Sequence, residues 1–245
     1  QQWNVYASIY ESKGFSNPVK VSSDQGKSCN PKILAVEDGT IWLAWENYFK
    51  GKFSIYLSKY QNELWGNPVQ VTHPDECCFD PAIAYGKDGF LYMAYGITDS
   101  VHQNIKMNII DGNSFEVKKT IPVYIGGAWK NRVNLNTKPA LAFDKFDRLW
   151  LSWENNKDVQ CPEDSDCYTG DRICAMVYYK DGQIYEPLPS GTWLFKGAND
   201  HLPTFFRDPD HNLYVITRCG GDFKTQPNWK FRLSWLDDVR GWKEP

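Results

Sequence analysis

No stretch of the 245 residues stays apolar for the ~18 positions that a membrane-crossing helix needs, and no pattern of helical period competes for any segment. Runs of basic residues are also missing. With 27 Lys and Arg against 30 Asp and Glu, the formal charge is −3, which gives no footing for nucleic acid or an anionic membrane surface. No basic, apolar, small-residue leader opens the chain, so Gln1-Gln2 is expected to be a processed end or the edge of a longer protein. Nor do the seven cysteines carry the Cys-x-x-Cys and His spacing of a zinc site. Cys161, Cys167 and Cys174 fall in or beside a polar loop, and Cys77 and Cys78 are adjacent. The set reads as partly disulfide-bonded, with Cys161 and Cys167 a candidate pair, which predicts a secreted or periplasmic protein. The odd cysteine keeps a reduced chain open.

Aromatics are abundant instead, at 16%, with 11 Trp and 14 Tyr. They recur in two interleaved lines. PKILAVEDGTIWLAWEN (31–47) is answered by PAIAYGKDGFLYMAYGI (81–97), PALAFDKFDRLWLSWEN (139–155) and PTFFRDPDHNLYVITRC (203–219). Each has a proline, a short apolar strand, a polar turn and a second strand. The second line has five copies, at 3–21, 53–71, 104–123, 172–188 and 230–245: a strand, a Gly/Asp/Asn turn, then an aromatic (Phe15, Trp65, Phe115, Tyr185 or Trp242). Period-two alternation with turn signals makes these strands. A four-strand unit recurring at roughly 50 residues predicts an all-β chain, a β-propeller most simply of five blades of four-stranded antiparallel sheets. The units are 1–22, 31–71, 81–123, 139–188 and 203–245, in one domain. In IWLAW, Ile41, Leu43 and Trp45 point one way and Trp42 and Ala44 the other, so the strand should lie between two sheets. Most of the aromatics are then packing between blades. The first unit begins at its third strand, which fits an incomplete first blade or a segment of a larger protein with adjoining domains.

The stretch IYLSKYQNELWGNPVQVT (55–72), following PKILAVEDGTIWLAWE, resembles the repeats of extracellular bacterial propellers of the sialidase-like and TolB-like kind. That resemblance covers nearly the whole chain and implies a fold shared by glycosidases, lyases, lectins and scaffolds. The sialidase Asp-box is matched only by SSDQGKSC (22–29), where Cys29 stands in place of Trp and the position in the blade is wrong. The seven arginines offer no three-arginine carboxylate clamp.

In a propeller the b–c and d–a connections share one end, and here they are the long ones. Function rides on such loops. The last residue of each second strand is Glu46, Gly96, Glu154 or Arg218. Glu46 and Glu154, or Asp80, could act as acid and base on a glycoside if suitably spaced. They could equally be strand ends paired with lysines. Arg218, with Arg132, His73, Asp200 and His201 from the d–a loops, could bind an anionic or polyol ligand, or simply cap loop backbone. His73, Asp75, Glu76 and Asn136 belong to the same set. Trp129 and Trp193 lie outside the repeat and could stack on a sugar ring or anchor loops. The acidic loop 162–171, with Asp164, Asp166 and Asp171, could hold calcium, although it lacks EF-hand spacing; a cystine-braced surface loop is the alternative. No other cofactor is implied. The leading expectation is an extracellular propeller that binds carbohydrate. A propeller-fold glycoside hydrolase or lyase is the alternative, and a protein-contact scaffold the third.

Overall fold

Alternating apolar residues between Gly and Asp turns fold as antiparallel strands, and the described residues hold no helix. The computed structural model describes residues 2–12, 14–98, 103–123, 134–157, 172–185, 199–220, 230–237 and 241–243. Blade I contains two short pairs, β1 (Tyr6–Ala7) with β4 (Val19–Lys20) and β2 (Tyr10–Glu11) with β3 (Gly14–Phe15). Blade II runs outward from the axis through β5 (Lys27–Ala35), β6 (Ile41–Phe49) and β7 (Lys52–Gln61) to a split outer strand, β8 (Leu64–Trp65) and β9 (Val69–Gln70). Blade III is β10 (Cys77–Tyr85), β11 (Phe90–Thr98), β12 (Gln103–Asp111) and β13 (Val117–Val123). Blade IV is β14 (Asn134–Phe143), β15 (Leu149–Lys157), β16 (Arg172–Lys180) and β17 (Gln183–Tyr185). Blade V is β18 (Asn199–Arg207), β19 (Leu213–Gly220), β20 (Lys230–Asp237) and β21 (Gly241–Lys243). The inner strands β5, β10, β14 and β18 lie side by side around the axis of a β-propeller.

The core lies between blades, as both-face apolarity requires. Trp42 and Ala44 meet Leu91, Met93 and Tyr95 of blade III, while Leu43 and Trp45 meet Val5 and Val21 of blade I. Tyr92, Ala94, Ile105 and Met107 fill the junction with Leu149, Leu151, Trp153 and Val177 of blade IV. Trp150 and Met176 close on Leu213 and Val215 of blade V. Burying one such tryptophan contributes about 3 kcal/mol by the area removed from water. Trp65 and Phe115 pack at junctions as expected, but Phe15 is 75% exposed.

Each inner strand starts ahead of its repeat proline, not at it. Proline inside a sheet needs an edge or a bulge, and each of these sits at a bulge. Pairing slips between Cys29 and Lys32, Phe79 and Ala82, Thr137 and Ala140, and His201 and Thr204. The residue before the proline is left-handed every time: Asn30 (φ 50°), Asp80 (51°), Lys138 (51°) and Leu202 (51°). At the other end the a–b turns are closed by aspartates. Asp38 Oδ1 accepts the Thr40 N–H at 2.8 Å, and Asp208 Oδ1 accepts that of Asn212 at 2.8 Å. The Val-Ser and Val-Thr ends of the outer strands latch as well: Ser22 Oγ accepts from Val5 N at 2.9 Å and Thr72 Oγ1 from Ile55 N at 3.1 Å.

Cys29, Cys77 and Cys78 are free thiols. Cys78 is fully buried in the junction of blades II and III, and burial, reinforced by the Glu76 charge, pushes its thiol up to about 12. The Cys161–Cys167 pair lies outside the described residues.

Candidate functional site

The phrase Trp-Leu-x-Trp-Glu-Asn ends β6 and β15 for a mechanical reason. Its asparagine braces its own blade: Ser28 Oγ donates to Asn47 Oδ1 at 3.1 Å, and Asn155 Nδ2 donates to Asn136 Oδ1 at 2.6 Å. Its glutamate reaches the next blade. Glu46 Oε1 accepts the backbone N–H of Asp80, the bulge residue of blade III, at 2.7 Å. Glu154 Oε1 accepts the backbone N–H of Leu202, the bulge residue of blade V, at 2.6 Å, while Lys138 Nζ stands 3.5 Å from Oε2. The two carboxylates are 7% and 1% exposed. They stand on blades II and IV and turn to different junctions, so their contacts do not join them to each other.

Position 96 of blade III lacks the carboxylate. A Cβ on Gly96 would fall 2.4 Å from the Phe79 ring, which takes the place of the acid. That blade is instead stitched to blade IV by backbone, through the parallel pair Gln103–Leu135 and a 3.2 Å bond from Asn136 Nδ2 to Gln103 O. In blade V, Arg218 holds the same position, opposite His201.

One polar cluster gathers at the bulge end. Asn30 Nδ2 donates to Glu46 Oε1 at 2.7 Å and to Asp80 Oδ1 at 3.2 Å. Cys29 Sγ lies 3.6 Å from Glu46 Oε2, and burial first, then the Glu46 charge, raises its thiol to about 11. The structure thus brings Glu46 and Asp80 together, with Asn30 between them. Lys138 is added on blade IV beside Glu154. Asn30 and Lys138 were identifiable only by standing immediately before a repeat proline.

Other candidates lie apart. His73 is exposed on the connection before β10, where its Nδ1 accepts the Asp75 N–H at 3.3 Å. Glu76 is paired with Lys106 at 2.5 Å. Asp200 and His201 belong to β18, but their side chains are outside the description. Trp129, Trp193, Arg132, Asp164, Asp166 and Asp171 lie outside the described residues, and with them the calcium expectation. Among the described residues no group of three or more His, Cys, Asp or Glu is placed to hold a metal ion. A cavity of about 820 Å³ opens at the opposite end of the channel, among the a–b turns. Apolar residues of the inner strands, such as Leu34, Ile83 and Leu141, wall it, and Lys87 and Asp147, paired at 2.8 Å, stand at its mouth.

The fold and this cluster define a five-sheet propeller with a polar channel end. No protein-family model matches the chain, and no curated protein matches it. Solved structures do. An exo-1,5-α-L-arabinanase from a bovine ruminal metagenomic library is similar over 100% of this chain and 91% of its own, with a TM-score of 0.60 at 12% identity. An endo-arabinase from Bacteroides thetaiotaomicron is similar over 98% and 96%, with a TM-score of 0.57 at 11% identity. A thermostable family-43 glycoside hydrolase is similar over 90% and 77%, with a TM-score of 0.58 at 13% identity. At such identities the likeness establishes the β-propeller fold.

Proposed function

We propose that this propeller is extracellular and recognises a glycan at the bulge end, through Asn30, Asp80 and Lys138. The Asn30–Glu46–Asp80 cluster carries the reading. Glu46 and Asp80 both take the Asn30 amide hydrogens, which fixes that side chain and leaves its Oδ1 as an acceptor. A carboxylate and an oriented amide side by side suit adjacent sugar hydroxyls, and the ammonium of Lys138 adds a donor. The similar structures include enzymes named for arabinan, so pentose oligosaccharides are the first ligands to try. Polymers of that kind are met outside the cell, which supports an extracellular setting. Calorimetric titration with arabino- and xylo-oligosaccharides should show saturable binding. Asp80→Asn should weaken it at least tenfold while the urea midpoint holds; Asn30→Ala should weaken it as far and also lower the midpoint, because Asn30 sits at φ 50° and bridges Glu46 and Asp80. Absence of binding across a broad glycan panel, or full affinity in Asp80→Asn, would overturn the reading.

Hydrolysis is the second reading. The shared Asn30 amide nitrogen caps the separation of the bonded Glu46 and Asp80 oxygens at roughly 6 Å, near the ~5–5.5 Å of a retaining pair and short of the ~6.5–9.5 Å of an inverting one. Release of reducing sugar by the wild type, lost in both Asp80→Asn and Glu46→Gln, would favour it. Binding without turnover would leave the chain a lectin-like module.

A further inference from the structure

We propose, building on the glycan reading above, that Tyr48 at the tip of the β6–β7 hairpin is a stacking platform for a second sugar residue, so that the ligand is an oligosaccharide. Side chains alternate along a strand, so Tyr48 lies on the same face of β6 as Glu46. That face looks toward blade III, since Glu46 holds the Asp80 N–H and Trp42 packs in the junction of blades II and III. Two residues of rise put the Tyr48 Cα about 7 Å beyond that of Glu46. One sugar residue in a chain has a length of that order. The ring therefore stands next to the Asn30–Glu46–Asp80 cluster, one step further from the core.

Blade packing does not account for this aromatic. Glu46, Gly96, Glu154 and Arg218 are equivalent strand ends, and two residues beyond them stand Tyr48, Thr98, Asn156 and Gly220. An aromatic needed between blades recurs, as at the equivalent positions Trp42, Tyr92, Trp150 and Tyr214. Tyr48 has no such counterpart, and it is 38% exposed. Phe53, directly opposite on β7, backs it, with ring centroids 4.9 Å apart and planes tilted by 49°.

The ring is also held still. Lys50 and Gly51 alone join β6 to β7, with φ of 51° and 86°, the left-handed pair of a tight type I′ turn. Behind Tyr48 the chain passes so close at Gly26 (φ 85°) that a Cβ there would fall 2.6 Å from the Tyr48 carbonyl oxygen. Lys52 Nζ reaches across to Asp75 O at 3.1 Å, which ties the tip to the connection carrying exposed His73 and Asp75. An aromatic fixed on a strand loses little freedom when a ligand arrives.

A sugar ring presents C–H groups on its faces and hydroxyls around its edge. The first suit an aromatic face, and the second suit polar neighbours such as His73 and Asp75. One half-open ring is far too small for the roughly 800 Å² per partner of a stable protein contact. Continuity with the polar cluster then makes the occupant the next residue of the same glycan chain.

The test is calorimetric titration of the 245-residue chain with arabino- and xylo-oligosaccharides of two, three and four units. Affinity should rise about tenfold from the shortest to the longest, the worth of one stacked ring. In Tyr48→Ser and Tyr48→Leu that length preference should vanish. Tyr48→Leu keeps an apolar side chain against Phe53, so it still reports if Tyr48→Ser fails to fold. Tyr48→Phe keeps the ring and should keep the preference, whereas Asp80→Asn should weaken every length alike. A wild type without length preference, or the full preference in Tyr48→Leu, would overturn the platform while glycan binding by the cluster stands. Loss of the preference in Tyr48→Phe would assign it to a hydroxyl hydrogen bond and overturn stacking. No binding at any length would overturn the glycan reading together with the platform.

Discussion

Glu154 is nearly inaccessible, yet its carboxyl is satisfied, because the Leu202 N–H donates to it and the Lys138 ammonium stands 3.5 Å away. Glu154→Ala leaves that N–H without its acceptor and should cost about 1–3 kcal/mol, read as a lowered urea midpoint. Glu154→Gln keeps an acceptor oxygen and should cost less. The thiols set a different, alkaline limit. Cys29 and Cys78 hold their protons up to about 11 and about 12, and burial also raises Tyr92 and Tyr95. An unfolded thiol ionises near pH 9, so above that the unfolded chain binds fewer protons than the folded one. The stabilisation is fully present below pH 9 and is lost as pH rises from about 9 to about 12. Urea midpoints should be level from pH 7 to pH 8.5 and fall beyond pH 9, less steeply in Cys78→Ala, once its own loss of stability is subtracted.

At the scale of the strand, the proline-linked bulge is the recurring device. Three of the four residues that precede the prolines are polar, and asparagine and aspartate tolerate the left-handed conformation best. Leu202 is the misfit, strained at φ 51° and 44% exposed, so little packing depends on its side chain. Leu202→Asn should stabilise the fold by about 0.5–1 kcal/mol, because the Glu154 bond uses only backbone, and differential scanning calorimetry would show the rise. The sequence marked where each inner strand turns, through Pro31, Pro81, Pro139 and Pro203, but not where it begins. A register slip is a property of two strands together and leaves no trace in one. For the same reason the inter-blade contact of the glutamate of Trp-Leu-x-Trp-Glu-Asn was hidden. Its partner is a backbone N–H one blade further on, which no side-chain pattern reveals.

At the scale of the molecule, the aromatic repeat was legible because each tryptophan does the same work at each junction. Trp42, lodged between blades II and III, should cost about 3–5 kcal/mol as Trp42→Ala, with a single cooperative transition at a lower denaturant midpoint. Exposed Phe15 is the counter-case: the periodicity predicts packing between blades, and only the spatial arrangement shows it 75% exposed and edge-on to Tyr10. The long loops, where Trp129 and Trp193 lie, gave residue types but no spacing to a partner, so their chemistry was not legible from the repeat.

The stitching of blade III to blade IV by paired backbone has a consequence under load. Stretched between its two ends, the chain should give way first at the outer blades, which lie nearest the pulled ends. The Gln103–Leu135 seam and the broad apolar contact around it should hold to the last, so that single-molecule pulling records a final, strongest rupture from the middle of the ring.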